Sequence, residues 1–326
     1  MLRRTLCLAV AALALAPAAH ADGPALGATE GGTGAASAVT GLRYVTLSGS
    51  PRQTMLATIR MRDGVVLGYS LLRGFWGVPA VTYDGSTSGL SADGSTLVLV
   101  NELGRPVTLQ TSSTFAVIDV TRMAPPTMIK LHGDFSFDAL SPRGDILYLI
   151  QHVSQRDLTR YIVRAYDLRT RRFWSRVIAD RTQPGWVMSG YPLHRVTSAD
   201  GRWVYTLYTN DGGTPFVHAL DSVRGTAHCI GFAWHGSQNG LWNIQLRLGG
   251  GGRTLAFRNL RGKRLLSIDT RTFRVSYTGM DHTGGTLSPL WFALTVPILI
   301  LLAAARFHRR RLLASAPRWR TSASSG

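Results

Sequence analysis

Three stretches of the chain repeat one phrase, a small polar turn that runs directly into an apolar strand. They are Leu90 to Val100 (LSADGSTLVLV), Leu140 to Ile150 (LSPRGDILYLI) and Thr197 to Leu207 (TSADGRWVYTL). A fourth, degenerate copy is Gly249 to Phe257 (GGGGRTLAF). The turn glycines Gly94, Gly144, Gly201 and Gly252 follow one another at intervals of about 50 residues, which is the spacing of a structural repeat.

A second landmark keeps the same period. Each phrase is followed by another apolar strand that ends at an aspartate, namely Asp119, Asp167, Asp221 and Asp269. An aspartate in this place accepts backbone N–H groups of the turn that follows. An earlier set of apolar runs begins near Tyr44 and aligns with the repeats, except that Arg60 takes the place of the aspartate.

The repeated unit is predicted to be a small antiparallel sheet. Glycine at a tight turn tolerates positive φ, so consecutive strands can fold back on each other. Short strands in units of about 50 residues are typical of β-propeller blades. We therefore predict an all-β propeller of about five four-stranded blades. Six blades, or two β-sandwich domains, are the alternatives that the pattern leaves open.

The turn sequences resemble those of a known group of proteins. Ser91–Gly94, Ser141–Gly144 and Ser198–Gly201 match the Ser-Pro-Asp-Gly turn of WD-repeat-like propellers of bacterial envelopes, among them the periplasmic propeller of the Tol system. The resemblance covers roughly residues 80–280 and is architectural, because it points to no single family. It implies an envelope protein with a propeller domain.

The N-terminus is typical of a secretory signal peptide. Arg3 and Arg4 precede an apolar run from Leu6 to Leu15, and small residues lead to a cleavage point after Ala21. We predict that residues 1–21 are removed. A retained membrane helix is the alternative, but the run is shorter than the roughly 20 residues that a bilayer requires.

The C-terminal segment predicts a membrane anchor. Residues from Leu287 to Ala305 carry no charge and are long enough to span a bilayer as one helix. The tail, residues 306–326, contains arginines and no acidic residue, so the positive-inside rule predicts that it is cytoplasmic. The protein is then a single-pass protein of the cell membrane with its N-terminal domain outside the cytoplasm. A buried core helix is the alternative. A sortase signal would require a Leu-Pro-x-Thr-Gly motif just upstream, and residues 284–289 do not contain one.

The remaining boundaries follow from composition. Residues 22–42 are rich in Gly and Ala and predict a flexible lead-in, residues 43–280 the propeller, and residues 281–286 a linker. The formal net charge is +18, from 36 basic and 18 acidic residues. This balance permits binding to an anionic envelope polymer, an envelope protein or lipid. Nucleic-acid binding is not predicted, because the exported part contains no clustered basic run.

Ligand-binding candidates are expected on the strands that precede the turns, because the innermost strands line the central channel. This rule nominates Tyr83, Asp84, Asp134, Asp138, His194, Arg195, Trp242 and Gln245. Asp134 and Asp138 could serve as the two carboxylates of a glycosidase, and His194 with Arg195 could bind an anion. For all of them, hydrogen bonding within or between blades is the competing interpretation.

Three functions remain open at this stage. The chain has no nucleophile elbow, zinc-protease motif, phosphate-binding loop or calcium loop, and no cofactor is predicted. We therefore expect a non-catalytic binding or scaffold protein of the envelope. The rivals are a propeller hydrolase acting on glycans and a structural subunit of a larger membrane complex.

Overall fold

The computed structural model describes residues 28–29, 31–50, 52–101, 108–122, 124–182, 187–210 and 213–278. The chain divides into two units, residues 1–277 and 278–326, and every strand described below belongs to the first. The second unit, apart from residue 278, lies outside the described residues, as does the predicted signal peptide.

The described part folds into six antiparallel sheets. Five of them are meanders of consecutive strands, which we number as blades in chain order. Blade 1 contains β2 (Ala35–Ser37), β3 (Leu42–Ser50), β4 (Gln53–Arg60) and β5 (Val66–Arg73). Blade 2 contains β7 (Thr96–Val100), β8 (Ser112–Asp119) and β9 (Thr127–His132). Blade 3 contains β10 (Phe135–Leu140), β11 (Ile146–His152), β12 (Tyr161–Asp167) and β13 (Arg172–Ile178).

The remaining elements complete the pattern. Blade 4 contains β14 (Pro192–Thr197), β15 (Trp203–Tyr208), β16 (Phe216–Asp221) and β17 (Thr226–Gly231). Blade 5 contains β18 (Gln245–Gly249), β19 (Thr254–Arg258), β20 (Arg264–Asp269) and β21 (Val275–Tyr277). The sixth sheet pairs β1 (Ala28–Thr29) with β6 (Val78–Pro79), and a short helix, α1 (Gln238–Leu241), connects blades 4 and 5. The all-β prediction and the repeated meander are confirmed.

The Ser-x-x-Gly phrase forms the same turn in three blades. In blade 4, Gly201 has φ of +72° and its N–H donates to Ser198 O at 2.8 Å. The Ser198 hydroxyl accepts the N–H of Trp203 at 2.8 Å and donates to Asp200 at 2.6 Å. The serine thus fixes the start of the next strand, which explains why the phrase recurs.

The strand-ending aspartates act as the sequence predicts. Oδ1 of Asp167 accepts backbone N–H groups at 2.9 and 2.7 Å, and Oδ1 of Asp269 does the same at 3.0 and 2.8 Å. These backbone donors lower the pKa of both carboxyl groups. In blade 1, Arg60 instead forms an ion pair with Asp63 (2.9 Å), and Asp63 Oδ1 accepts the N–H of Val65 at 3.3 Å.

The core consists of apolar layers between consecutive blades. Separate buried clusters join blades 1 and 2, blades 2 and 3, blades 3 and 4, and blades 4 and 5. The strands β7, β11 and β15 are buried on both faces; Leu147, Tyr148 and Leu149 of β11, for example, are fully buried. Each such side chain contributes about 2 kcal/mol of hydrophobic stabilisation, so consecutive blades depend on each other for stability.

Two features differ from the prediction. β2 lies inside residues 22–42, the expected lead-in, and forms the first strand of blade 1. Blade 2 has three continuous strands, and isolated bridges at Gly77 and Leu90 take the place of a fourth.

The predicted membrane span is not supported by the structure. Among the described residues, no helix has the length and apolarity needed to cross a bilayer. The segment from Leu287 to Ala305 lies outside them.

Alanine substitution at Gly201 tests the blade contacts. A Cβ there would lie 2.4 Å from the Ala92 Cβ of blade 2, whereas at Gly252, the equivalent turn of blade 5, it would meet nothing within 4 Å. Both glycines have positive φ, so each substitution costs about 1 kcal/mol of backbone strain. We expect Gly201→Ala to cost about 1 to 3 kcal/mol more in chemical denaturation, because it also overpacks. Equal losses would contradict this packing of the turns.

Candidate functional site

An insertion interrupts the innermost position of blade 2. Gly77 exchanges two hydrogen bonds with Val100, both at 3.0 Å, and Gly89 O accepts the N–H of Val98 at 2.7 Å. The eleven residues between these glycines leave the sheet; we call residues 78–88 the blade 2 insertion. It turns back on itself through a bridge between Ala80 and Thr87.

Asp84 organises the tip of this insertion. Its Oδ1 accepts the Thr82 hydroxyl at 2.6 Å and the N–H of Ser86 at 2.9 Å. These are the local bonds by which an aspartate closes a turn. Its second oxygen, Oδ2, remains directed toward another blade.

The tip reaches blade 4 and the connection between blades 4 and 5. The N–H of Tyr83 donates to Pro192 O of β14 at 2.9 Å, and the Tyr83 ring meets the rings of Tyr191 and Trp242 edge-on at 5.6 and 5.7 Å. Asp84 Oδ2 lies 3.4 Å from His194 Nε2. Blade 3 separates blades 2 and 4 along the chain, so the insertion connects inner strands that are not sequential neighbours.

His194 is held between two partners. Its Nδ1 accepts the N–H of Leu246 in β18 at 3.2 Å, so in the neutral ring the proton lies on Nε2, facing Asp84. Burial lowers the pKa of His194, and the Asp84 charge opposes that effect only in part. The imidazole is therefore neutral near pH 7, and both ring nitrogens are used in joining the insertion to blades 4 and 5.

Arg195 and Asp138 form a buried ion pair between blades 3 and 4. The side chains are 5% and 3% exposed, and the guanidinium donates both to a carboxylate oxygen and to the main-chain oxygen of Asp138. Arg195 Nε also donates to the Thr206 hydroxyl at 2.9 Å. The pair neutralises both charges, and within the described residues Asp138 Oδ2 has no hydrogen-bond partner.

A cleft of about 540 Å³ lies beside the insertion. Its walls come from blade 1, the insertion and β14, and they are Thr33, Val81, Asp84 to Ser88, and Arg195 to Thr197. Five of the ten lining residues carry a hydroxyl group, so the cleft offers short donors and acceptors beside the apolar side chains of Val81 and Val196. Such a wall suits a polar ligand or a polar segment of a partner.

Seven of the eight predicted candidates fall in this region. Asp84 lies beside His194, and Tyr83 donates to Pro192 of the same strand as His194 and packs on Trp242. Arg195 pairs with Asp138. Gln245 directly precedes Leu246, whose N–H bonds to His194. Whether they bind a ligand remains a prediction.

Asp134 lies apart from this group. It precedes β10 while Asp138 lies near the end of that strand, so the two are about 13 Å apart along the chain direction. Asp134 Oδ2 accepts the N–H of Gln110 at 3.2 Å. The two aspartates are thus not placed as a facing carboxylate pair.

The sequence did not nominate two buried polar residues of blade 4, Thr206 and His218. They are paired across β15 and β16, next to Arg195, and are 1% and 2% exposed. Within the described residues, His218 Nε2 has no hydrogen-bond partner, and burial lowers the pKa of His218 to about 4. A single histidine in an apolar strand gives no signal that would distinguish it from a surface histidine. No three His, Cys, Asp or Glu side chains of the described residues are grouped to hold a metal ion.

Comparison with known proteins finds similarity in structure alone. No protein-family model matches the chain, and no curated protein matches its sequence. A protein assigned as TolB from Agrobacterium tumefaciens is 13% identical, with a TM-score of 0.42, over 78% of this chain and 80% of its own. The Swd1 β-propeller domain from Myceliophteria thermophila is 10% identical, with a TM-score of 0.42, over 78% of this chain and 70% of its own.

Proteins assigned as enzymes are also similar. The periplasmic gluconolactonase of Pseudomonas aeruginosa is 15% identical, with a TM-score of 0.42, over 72% of this chain and 65% of its own. The predicted resemblance to TolB and WD-type propellers therefore reappears among solved structures. The propeller fold itself rests on the five blades described above, and none of these similarities assigns a site or an activity.

Proposed function

We propose that this chain is a non-catalytic binding or scaffold protein of the cell envelope. Its propeller is exported by the N-terminal signal and held at the cell membrane by the apolar segment from Leu287 to Ala305, with the arginine-rich tail in the cytoplasm. The location is supported by the sequence of the two ends.

The observation that carries the binding role is the state of the charged groups beside the cleft. Asp138 is neutralised by Arg195, and His194 uses both ring nitrogens within the protein. Groups held in this way stabilise the surface beside the cleft, because their charges are paired within the protein. The hydroxyl-lined cleft then recognises its partner by hydrogen bonds.

The rival hydrolase needs two carboxyl groups facing each other across a glycosidic bond, at roughly 5 to 10 Å. Asp134 and Asp138 do not have that placement, because about 13 Å of strand separates them. Turnover of an envelope glycan that is lost in Asp84→Asn would nevertheless favour the rival over our proposal.

The proposal is tested by photocrosslinking in intact cells. A benzophenone amino acid replaces Ser86, in the wall of the cleft, or Arg169, in an exposed turn of blade 3, in the full chain. We expect one discrete crosslinked species from position 86 that is absent from position 169. Identical patterns at both positions, or no crosslink at position 86, would contradict a role for the cleft in binding.

A further inference from the structure

Blade 1 carries an apolar face that points away from blade 2. Its rows run across three strands: Leu47, Met55 and Leu71 form one, Val45, Ala57 and Tyr69 the next, and Arg43, Ile59 and Val66 the third. All of these residues except Arg43 are apolar. The opposite face, with Tyr44, Leu56 and Leu72, is buried against blade 2.

The outer part of this face is uncovered. Leu47 is 42% exposed, Val66 57%, Tyr69 64% and Leu71 55%, and the neighbouring Leu67 is 49% exposed. We call these five residues the blade 1 apolar face. No other blade among the described residues has an outer strand with so many exposed apolar side chains. A contiguous apolar patch of this kind marks a contact surface.

Blade 5 offers no apolar match for it. The cluster between blades 4 and 5 takes up Leu246 and Phe257. The other face of blade 5 carries Arg247 and Arg258, both exposed. Burying an apolar sheet against guanidinium groups would cost their desolvation, so the last blade is a poor cover for the first.

The charges around the face indicate what does cover it. Residues 31–75 contain five arginines, at positions 43, 52, 60, 62 and 73, and one acidic residue, Asp63. Asp63 already pairs with Arg60 at 2.9 Å and lies 3.5 Å from Arg62. The blade therefore has a charge of +4, five arginines less one aspartate. A symmetric pair of such faces would bring the arginines together, which disfavours a second copy of this chain.

We propose that the blade 1 apolar face rests on an anionic phospholipid surface. The apolar side chains enter the headgroup boundary, and the arginines lie at the level of the phosphates, where they attract anionic lipid. Tyr69 is aromatic with a polar end and suits this interface. The inference rests on the envelope location in the proposed function and adds the orientation of the propeller.

Hydrogen exchange of the full chain in lipid nanodiscs tests this orientation. β5 is the edge strand of blade 1, so part of its N–H groups have no strand partner and report whether the edge is covered. We expect residues 64–73 to exchange about tenfold more slowly in discs that contain phosphatidylglycerol than in discs of phosphatidylcholine alone. High salt should reduce the difference, because it screens the arginines.

Paired variants make the result specific. Tyr69→Glu/Leu71→Glu should abolish the protection while leaving exchange in blades 3 and 4 unchanged, since both side chains are exposed. Leu260→Glu, at an exposed leucine of blade 5, should keep it. Equal exchange in the two kinds of disc, or protection that appears only with two copies per disc, would overturn the proposal.

Failure of the proposed function is distinguishable from failure of this inference. A chain that does not enter discs contradicts the predicted anchor, and the blade 1 apolar face is then tested by co-sedimentation with vesicles of the same two compositions. Binding to phosphatidylglycerol vesicles that is lost in the double variant supports the face. Absence of such binding overturns it.

Discussion

Replacing Arg195 by leucine is expected to lower the free energy of unfolding by about 3 to 5 kcal/mol, among the largest effects of any single change in the molecule. The change leaves Asp138, which is 2% exposed, as a buried carboxylate without its partner. It also removes the donor to Thr206. Chemical denaturation of the purified protein measures the loss.

A matched pair in the same blade is the control. Arg202 and Asp221 lie 2.7 Å apart, but Arg202 is 34% exposed and Asp221 keeps two backbone donors, at 3.1 and 3.0 Å, when the arginine is removed. We expect Arg202→Leu to cost less, about 1 to 2 kcal/mol, because solvent reaches the guanidinium and the buried Asp221 carboxylate, 1% exposed, keeps its two backbone donors. The double variant Asp138→Leu/Arg195→Leu should recover much of the loss, since no charge then remains buried. Equal costs for the two arginines would refute the buried pair.

Acidification is expected to destabilise the protein through His218. Burial lowers the pKa of His218 to about 4, from an ordinary value near 6.5. Between these two values the unfolded chain binds a proton that the folded chain does not, so stability falls as the pH decreases from 6.5 toward 4. The free energy of unfolding lost over this window is about 3 kcal/mol. Above pH 6.5 none of it is lost, because His218 is neutral in both the folded and the unfolded chain.

Comparison with His218→Gln isolates this effect from that of the other titrating groups, which the variant retains. Unfolding free energies measured from pH 7 to 4 should fall more steeply for the unaltered protein than for the variant. His132→Gln, at an exposed histidine that ends β9, should retain the steep fall. Parallel curves for the unaltered protein and His218→Gln would show that His218 is not buried as described.

The repeated turns and strand-ending aspartates could be predicted because their bonds are local. Ser198 bonds residues two and five positions away, and Asp269 bonds residues two and three positions away. Each signal therefore appears within one short window of sequence. Repetition of that window then predicts the blade.

The blade 2 insertion could not be predicted in this way. The two pieces at Gly77 and Gly89 are too short to show the alternation of a strand, and eleven residues separate them. Ala35–Ser37 was missed for a similar reason, because small side chains gave no apolar signal although the backbone pairs with β3. Pairing of Arg195 with Asp138 joins residues 57 positions apart in different blades, and no pattern in one sequence encodes it.

The central claim is that the blade 2 insertion bridges to blades 4 and 5 and forms a wall of the cleft. Nuclear Overhauser contacts of the Tyr83 ring test it most directly in the full chain, with tyrosine and tryptophan rings isotopically labelled. The account predicts contacts from Tyr83 to both Tyr191 and Trp242, whose ring centres lie 5.6 and 5.7 Å away. Contacts from Tyr83 to residues 78–88 only would contradict it.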